Sequence, residues 1–146
     1  MSNYIINSDT YVLYDNKVLE KYEEFNVDKL LIEVIDDSCL YYGSSYKGRV
    51  KATNYMIGQC YKCPIIISEY KSIVFFPVLS NFGDIYWFSY NNISNYYKNG
   101  EKIVILFKNN VKKEFEISIV LFNKQYFKSA RLNNVLNAHK WANFCF

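Results

Sequence analysis

Short apolar runs separated by turn residues occupy the first four fifths of the chain. Residues 11–14, 30–35, 64–67, 73–76, 85–88 and 103–107 are rich in β-branched and aromatic side chains, and runs of this length and type predict strands. Between them stand turn signals: Asp15-Asn16, Gly43-Ser44-Ser45, Asn81-Phe82-Gly83-Asp84, Asn99-Gly100 and Asn109-Asn110. Asn99-Gly100 suits a type I′ turn, which needs positive φ at both central residues, so 93–97 and 103–107 are expected to form a hairpin. A second hairpin is expected from 103–107 into 113–119. No helix-length amphipathic segment separates the central strands, which favours an antiparallel sheet over βαβ units.

The carboxyl end changes period. From about residue 121 to 142, Phe122, Tyr126, Ala130, Leu136, Trp141 and Phe144 share one broad helical side, while Lys124, Lys128, Arg131 and Val135 form a stripe on another. The expected fold is α+β in one domain over residues 1–146. It consists of a predominantly antiparallel β-sheet or partly closed barrel with a C-terminal basic amphipathic helix.

Composition supports a packed core. Of 146 residues, 51% are hydrophobic and 21% charged, which excludes a wholly disordered chain. No run approaches the roughly 18 consecutive apolar residues of a membrane span, and no basic segment precedes an apolar run at the start, so no signal peptide is expected. These features point to a cytoplasmic protein with reduced cysteines and no membrane partner. The formal charge of +3 hides an asymmetry: residues 1–36 carry eight acids against three lysines, and the remainder 14 basic residues against six acids. No acid follows Glu116. Such a bias suits a polyanion partner, although lysines scattered over solvated faces would give the same count.

Catalytic and metal chemistry find little support. Cys60-Tyr61-Lys62-Cys63 is a CxxC, and Cys39, Cys145 and His139 could complete a four-ligand set, but these are isolated rather than closely paired. Cys63-Pro64 opens a strand rather than a helix amino terminus that would lower a thiol pKa, so reduced cysteines are the expectation. No residue is placed to activate a nucleophile beside His139, and no phosphate-cradling glycine motif is present. Neither an enzyme, a cofactor, a metal nor a small-molecule substrate is expected.

Residues 36–53 differ in kind. Gly43, Ser44, Ser45, Tyr46, Lys47, Arg49 and Lys51 read as a flexible connection in which amides and hydroxyls meet phosphates while a guanidinium enters a narrow groove. The plain alternative is a turn with solvated lysines. The order Asp36, Ser38, Cys39, Gly43-Ser44-Ser45-Tyr46, Gly48-Arg49 and Thr53 resembles the competence transcription factor ComK family. The similarity continues through Pro64-Ile65, Phe76-Pro77, Leu79-Ser80, Trp87 and Ser89, with a weaker echo at Ile117-Ser118, Tyr126, Ala130 and Leu132.

This resemblance implies a transcriptional activator of competence genes. Such a protein would bind double-stranded DNA at paired AT-rich boxes through the minor groove, as a dimer that assembles further and bends the duplex, and would be nucleoid-associated when bound. Arg49 is then the expected groove reader, with Lys47 and Lys51 on flanking phosphates. Adding Lys124, Lys128 and Arg131 makes six contacts and a salt slope of about −5 per protomer. The better-known family members extend beyond the position of Phe146, in a tail associated with activation and with capture by a proteolytic adaptor. The alternative expectation is therefore a shortened homologue that acts by protein association with a full-length activator.

Overall fold

The computed structural model describes residues 3–145, with side chains through residue 142; the side chains of Phe144 and Cys145 lie outside the described residues. In chain order the elements are β1 (Thr10–Tyr14), β2 (Lys17–Glu20), β3 (Glu24–Asn26), α1 (Leu31–Tyr41), α2 (Tyr46–Ile57), β4 (Ile65–Ser68), β5 (Ile73–Leu79), β6 (Ile85–Ser89), β7 (Ile93–Asn99), β8 (Lys102–Phe107), β9 (Lys112–Phe115) and α3 (Ile119–Cys145). The strands form an antiparallel six-stranded sheet in the order β3-β2-β1-β6-β5-β4 and a three-stranded sheet in the order β7-β8-β9. The fold is thus α+β with the expected C-terminal helix, but both sheets are open, so the barrel alternative is corrected.

The large sheet consists of two meanders, β1–β2–β3 and β4–β5–β6, joined where Val12 faces Phe88 and Leu13 faces Trp87. Its side chains alternate between two cores. Leu13, Ile65, Ile67, Phe75 and Trp87 pack beneath Val34, Ile35 and Cys39 of α1. On the other face Val12, Phe76, Val78 and Phe88 meet Ile103, Ile105, Phe107 and Phe115 of the small sheet and Phe122 of α3. Burial on both faces explains why these strands read as nearly continuous apolar runs rather than as alternating ones. α2 reaches the α1-side core through Tyr46 and Val50, while its Met56 and Ile57 join Ile66, Val74 and, from α3, Leu132 and Leu136 in a third cluster. It therefore packs against β4, an edge strand of the large sheet.

Three expectations change. Residues 30–35, read as a strand, begin α1. Its buried positions 34, 35, 38 and 39 keep a helical spacing that becomes visible only beyond the Asp36-Asp37 pair. The connection at 43–53 is not flexible, because α2 starts at Tyr46. The β7–β8 hairpin forms, but Asn99 pairs with Lys102 and only Gly100 of the turn has positive φ, at 66°. The turn is centred one residue later than the type I′ reading, with glycine first, as type II′ turns favour. Among the described residues no helix is long and apolar enough to cross a membrane.

Candidate nucleic-acid interface

The residues that carry the family resemblance build a helix start. Gly43 adopts φ +101°, a left-handed conformation that costs a side-chain-bearing residue about 1–2 kcal/mol, and so turns the chain sharply after α1. Ser45 then caps α2, its Oγ accepting the Gly48 N–H at 3.0 Å, which satisfies one of the orphan amides of the first turn. A Cβ on residue 48 would stand 2.7 Å from Ser44 Oγ and 3.2 Å from Ser45 Oγ, so glycine there admits both serines. The Tyr46 N–H donates to Asp36 Oδ1 at 2.8 Å, and its ring meets Trp87 edge-on at 6.2 Å. Ser45 and Tyr46, both expected at the DNA, are thereby engaged in starting α2 and tying it to α1.

Arg49 departs furthest from the exposed contact residue expected. It is only 7% exposed, and its Nη1 pairs with Glu69 Oε1 at 3.1 Å, fastening α2 to the turn between β4 and β5. Its Nε has no hydrogen-bond partner. A guanidinium so placed does not project into a groove. Sequence reading missed Glu69 because the pair spans 20 positions and exists only in the fold. Thr53 Oγ1 adds a second tie, donating to Pro64 O at 2.7 Å.

Lys47 and Lys51 are exposed one turn apart on α2. Lys47 borders a cleft that it shares with Glu33, Asp36 and Asp37, which offset its charge. On α3, Lys124 and Arg131 are exposed and Lys128 is half-buried. Burial lowers the Lys128 ammonium pKa, and the neighbouring Lys124 charge lowers it further. None of these five cations forms an ion pair with a carboxylate among the described residues. The packing of Met56 and Ile57 on Leu132 and Leu136 holds the two helices together. Other acids of the amino-terminal part are paired away from these helices or within it: Glu24 pairs with Lys113 of β9 at 3.1 Å, and Asp37 with Lys29 at 2.8 Å.

The CxxC segment links these helices. Cys60 and Cys63 form a disulfide with their Cα atoms 5.6 Å apart, which corrects the expectation of reduced cysteines there. Lys62, inside it, takes φ +52°. The half-buried Lys62 and the exposed Tyr61 went unnoticed in the sequence because the cysteines drew the reading toward metal chemistry. Gln125 of α3 donates to Lys62 O at 2.6 Å and to Pro77 O at 2.8 Å, bridging the loop to β5 where β4 no longer covers it. Lys128 Nζ donates to Tyr61 O at 3.2 Å. Among the described residues no three His, Cys, Asp or Glu side chains converge as a metal site. His139 is exposed on α3, whereas Cys39 is buried on the sheet-facing side of α1.

Burial pushes the Cys39 thiol up to about 12, although the Arg49 charge pulls the other way. An unfolded thiol ionises near about 8.5. As pH rises from there toward 12, the unfolded chain releases a proton that the folded chain keeps, so stability is full below about 8.5 and falls above it. Urea melts at pH 7.5 and pH 10 are expected to show a lower midpoint at the higher pH, and Cys39 is expected to resist alkylation until the protein unfolds.

The ComK protein family model matches residues 1–140. The Competence transcription factor of Bacillus subtilis (strain 168) is 29% identical over 119 residues, which take in 80% of this chain and 62% of that protein. The chain thus spans about three fifths of the length of this relative. No solved structure matches the chain. A family match that takes in almost the whole sequence gives one conclusion: the chain belongs to the ComK family.

Proposed function

We propose that this protein regulates transcription of competence genes by binding AT-rich double-stranded DNA through the minor groove. The observation that carries the reading is the set of cations on α2 and α3 that lack carboxylate partners among the described residues, in a chain of this family. Lys47 and Lys51 on one helix and Lys124, Lys128 and Arg131 on the other are the groups available to a polyanion. With Arg49 committed to Glu69, Arg131 is the remaining arginine, and it takes the groove-reading role. The minor groove separates A·T from G·C and little else, so selectivity there rests on groove width and the negative potential that draws in a guanidinium. The lysines then hold phosphates, which position the protein without reading sequence.

Fluorescence anisotropy with a labelled AT-box duplex and a G·C-rich control tests this. Arg131→Ala is expected to reduce the preference for the AT box, whereas Lys124→Ala weakens both duplexes alike. Equal losses from both substitutions would refute the division of roles. Absence of binding to either duplex would overturn the DNA-binding reading and favour association with a longer homologue.

A further inference from the structure

We propose that Cys60 and Cys63 are a reversible redox site, a substrate for thiol–disulfide exchange with small thiols, whose disulfide form restrains Lys128 and weakens DNA binding. The coupling and the assignment of a sensing role both rest on the DNA-binding reading above; thiol–disulfide exchange at the pair does not. In a protein that works on DNA, and so in a reducing compartment, a disulfide is rare and typically redox-sensing or catalytic. A catalytic CxxC draws on a helix amino terminus to lower its thiol pKa. Here the pair lies past the carboxyl end of α2, after Gly58, and just before β4, which leaves a sensing role.

The surroundings suit both oxidation states. Asn54 Oδ1 accepts the Cys60 N–H at 3.3 Å and lies 3.6 Å from Cys60 Sγ and 3.4 Å from Cys63 Sγ. It is thus an acceptor ready for either S–H after reduction. A ring closed over two intervening residues constrains the unfolded chain little, so the bond acts mainly on local shape. That shape includes the Tyr61 carbonyl on Lys128 and the Lys62 carbonyl on Gln125.

Tyr61 is exposed, Cys60 half-buried and Cys63 buried, so an external thiolate reaches Cys60 first. Its sulfur attacks Cys60 Sγ, forming a mixed disulfide as the Cys60–Cys63 bond breaks and Cys63 leaves as thiolate. A second thiolate attacks the external sulfur, releasing the small-molecule disulfide and the Cys60 thiolate, and both protein thiolates take protons from water. Oxidation by a small-molecule disulfide is the reverse. In the closed form Lys128 is half-buried and donates to Tyr61 O. Opening the turn frees it to meet a phosphate.

The test uses the full chain in glutathione buffers of graded thiol-to-disulfide ratio. Alkylation with peptide mapping reads the state of Cys60 and Cys63, and anisotropy with the AT-box duplex reads affinity. The oxidised form is expected to bind about five-fold more weakly, the lower end of coupling between linked sites, with a salt slope shallower by about 0.9, one phosphate contact. By reciprocity, saturating duplex shifts the thiol–disulfide midpoint toward the thiol form by the same factor. Cys60→Ser with Cys63→Ser is expected to bind like the reduced protein in every buffer, and Lys128→Met to abolish the redox dependence. Thiols at 60 and 63 that never pair in oxidising buffer would overturn the redox site. Pairing with unchanged or stronger affinity would overturn the coupling. Pairing with no duplex binding in either state would overturn the DNA-binding reading and with it the coupling, and leave the redox site standing.

Discussion

Phe122→Ala is expected to cost about 3–5 kcal/mol, the range for emptying a buried aromatic site, and to threaten the folded state itself, since domains of this kind have about 5–15 kcal/mol in total. Phe122 is fully buried on α3. Its ring lies 5.4 Å from Phe76 of β5 and 5.4 Å from Phe88 of β6, both edge-on, and 4.7 Å from Tyr96 of β7. It therefore touches both sheets, and no neighbouring side chain can fill its place without leaving its own. Aromatic pairs at these separations add about 0.5–1.5 kcal/mol beyond area burial. Five positions along the same helix, Phe127 is exposed, and Phe127→Ala is expected to stay within about 0.5 kcal/mol of the parent. Urea denaturation of the two variants makes the comparison. A loss below about 1 kcal/mol at Phe122 would contradict the docking of α3 between the sheets.

The second large effect is on binding. Four lysines at phosphates, with Arg49 excluded and Arg131 in the groove, give a slope of log affinity against log salt of about −3.6, so affinity falls about 150-fold between 50 and 200 mM salt. Lys124→Ala is expected to make the slope shallower by about 0.9. Arg49→Met, which removes a charge already paired with Glu69, should leave the slope unchanged while lowering the stability of the fold. A salt-insensitive complex would show that phosphates are not the main partner. A shallower slope for Arg49→Met would restore that residue to the interface.

The strands were legible where burial on both faces made them continuous: 64–67, 73–76 and 103–107 each lie within or beside a strand. The last helix was legible because Phe122, Leu132 and Leu136 keep helical spacing along its buried side. α1 was misread because Leu31, Ile32, Val34 and Ile35 are apolar and mostly β-branched, and local propensity yields to the packing of Val34, Ile35 and Cys39 on the sheet. The Gly43–Arg49 segment was recognised as distinctive for sound reasons, yet its polarity serves the fold. Serine hydroxyls and glycines suit a phosphate and a helix cap equally well, and only position tells them apart. The Arg49–Glu69 pair and the Gln125 bridge depend on segments distant in the chain, which no local pattern encodes. The disulfide was within reach of the spacing but was set aside on the helix-terminus argument, which concerns reactivity rather than proximity.

The junction of the two meanders bears on how the chain folds. Each meander is local in sequence, with tight turns such as Asp15-Asn16, where both residues take positive φ, so each can form early. Their union pairs Val12 with Phe88, and the loop that must close to bring these together contains both helices of the middle segment. Closure of a distant, antiparallel seam places such a domain among slower folders, on the millisecond-to-second scale rather than the microsecond scale of helical bundles. During that interval the inner edges of β1 and β6 stand unpaired, a template for the same strands of a neighbouring chain. Refolding at high protein concentration is therefore where domain-swapped or aggregated forms should arise, and dilution is the remedy that the topology recommends.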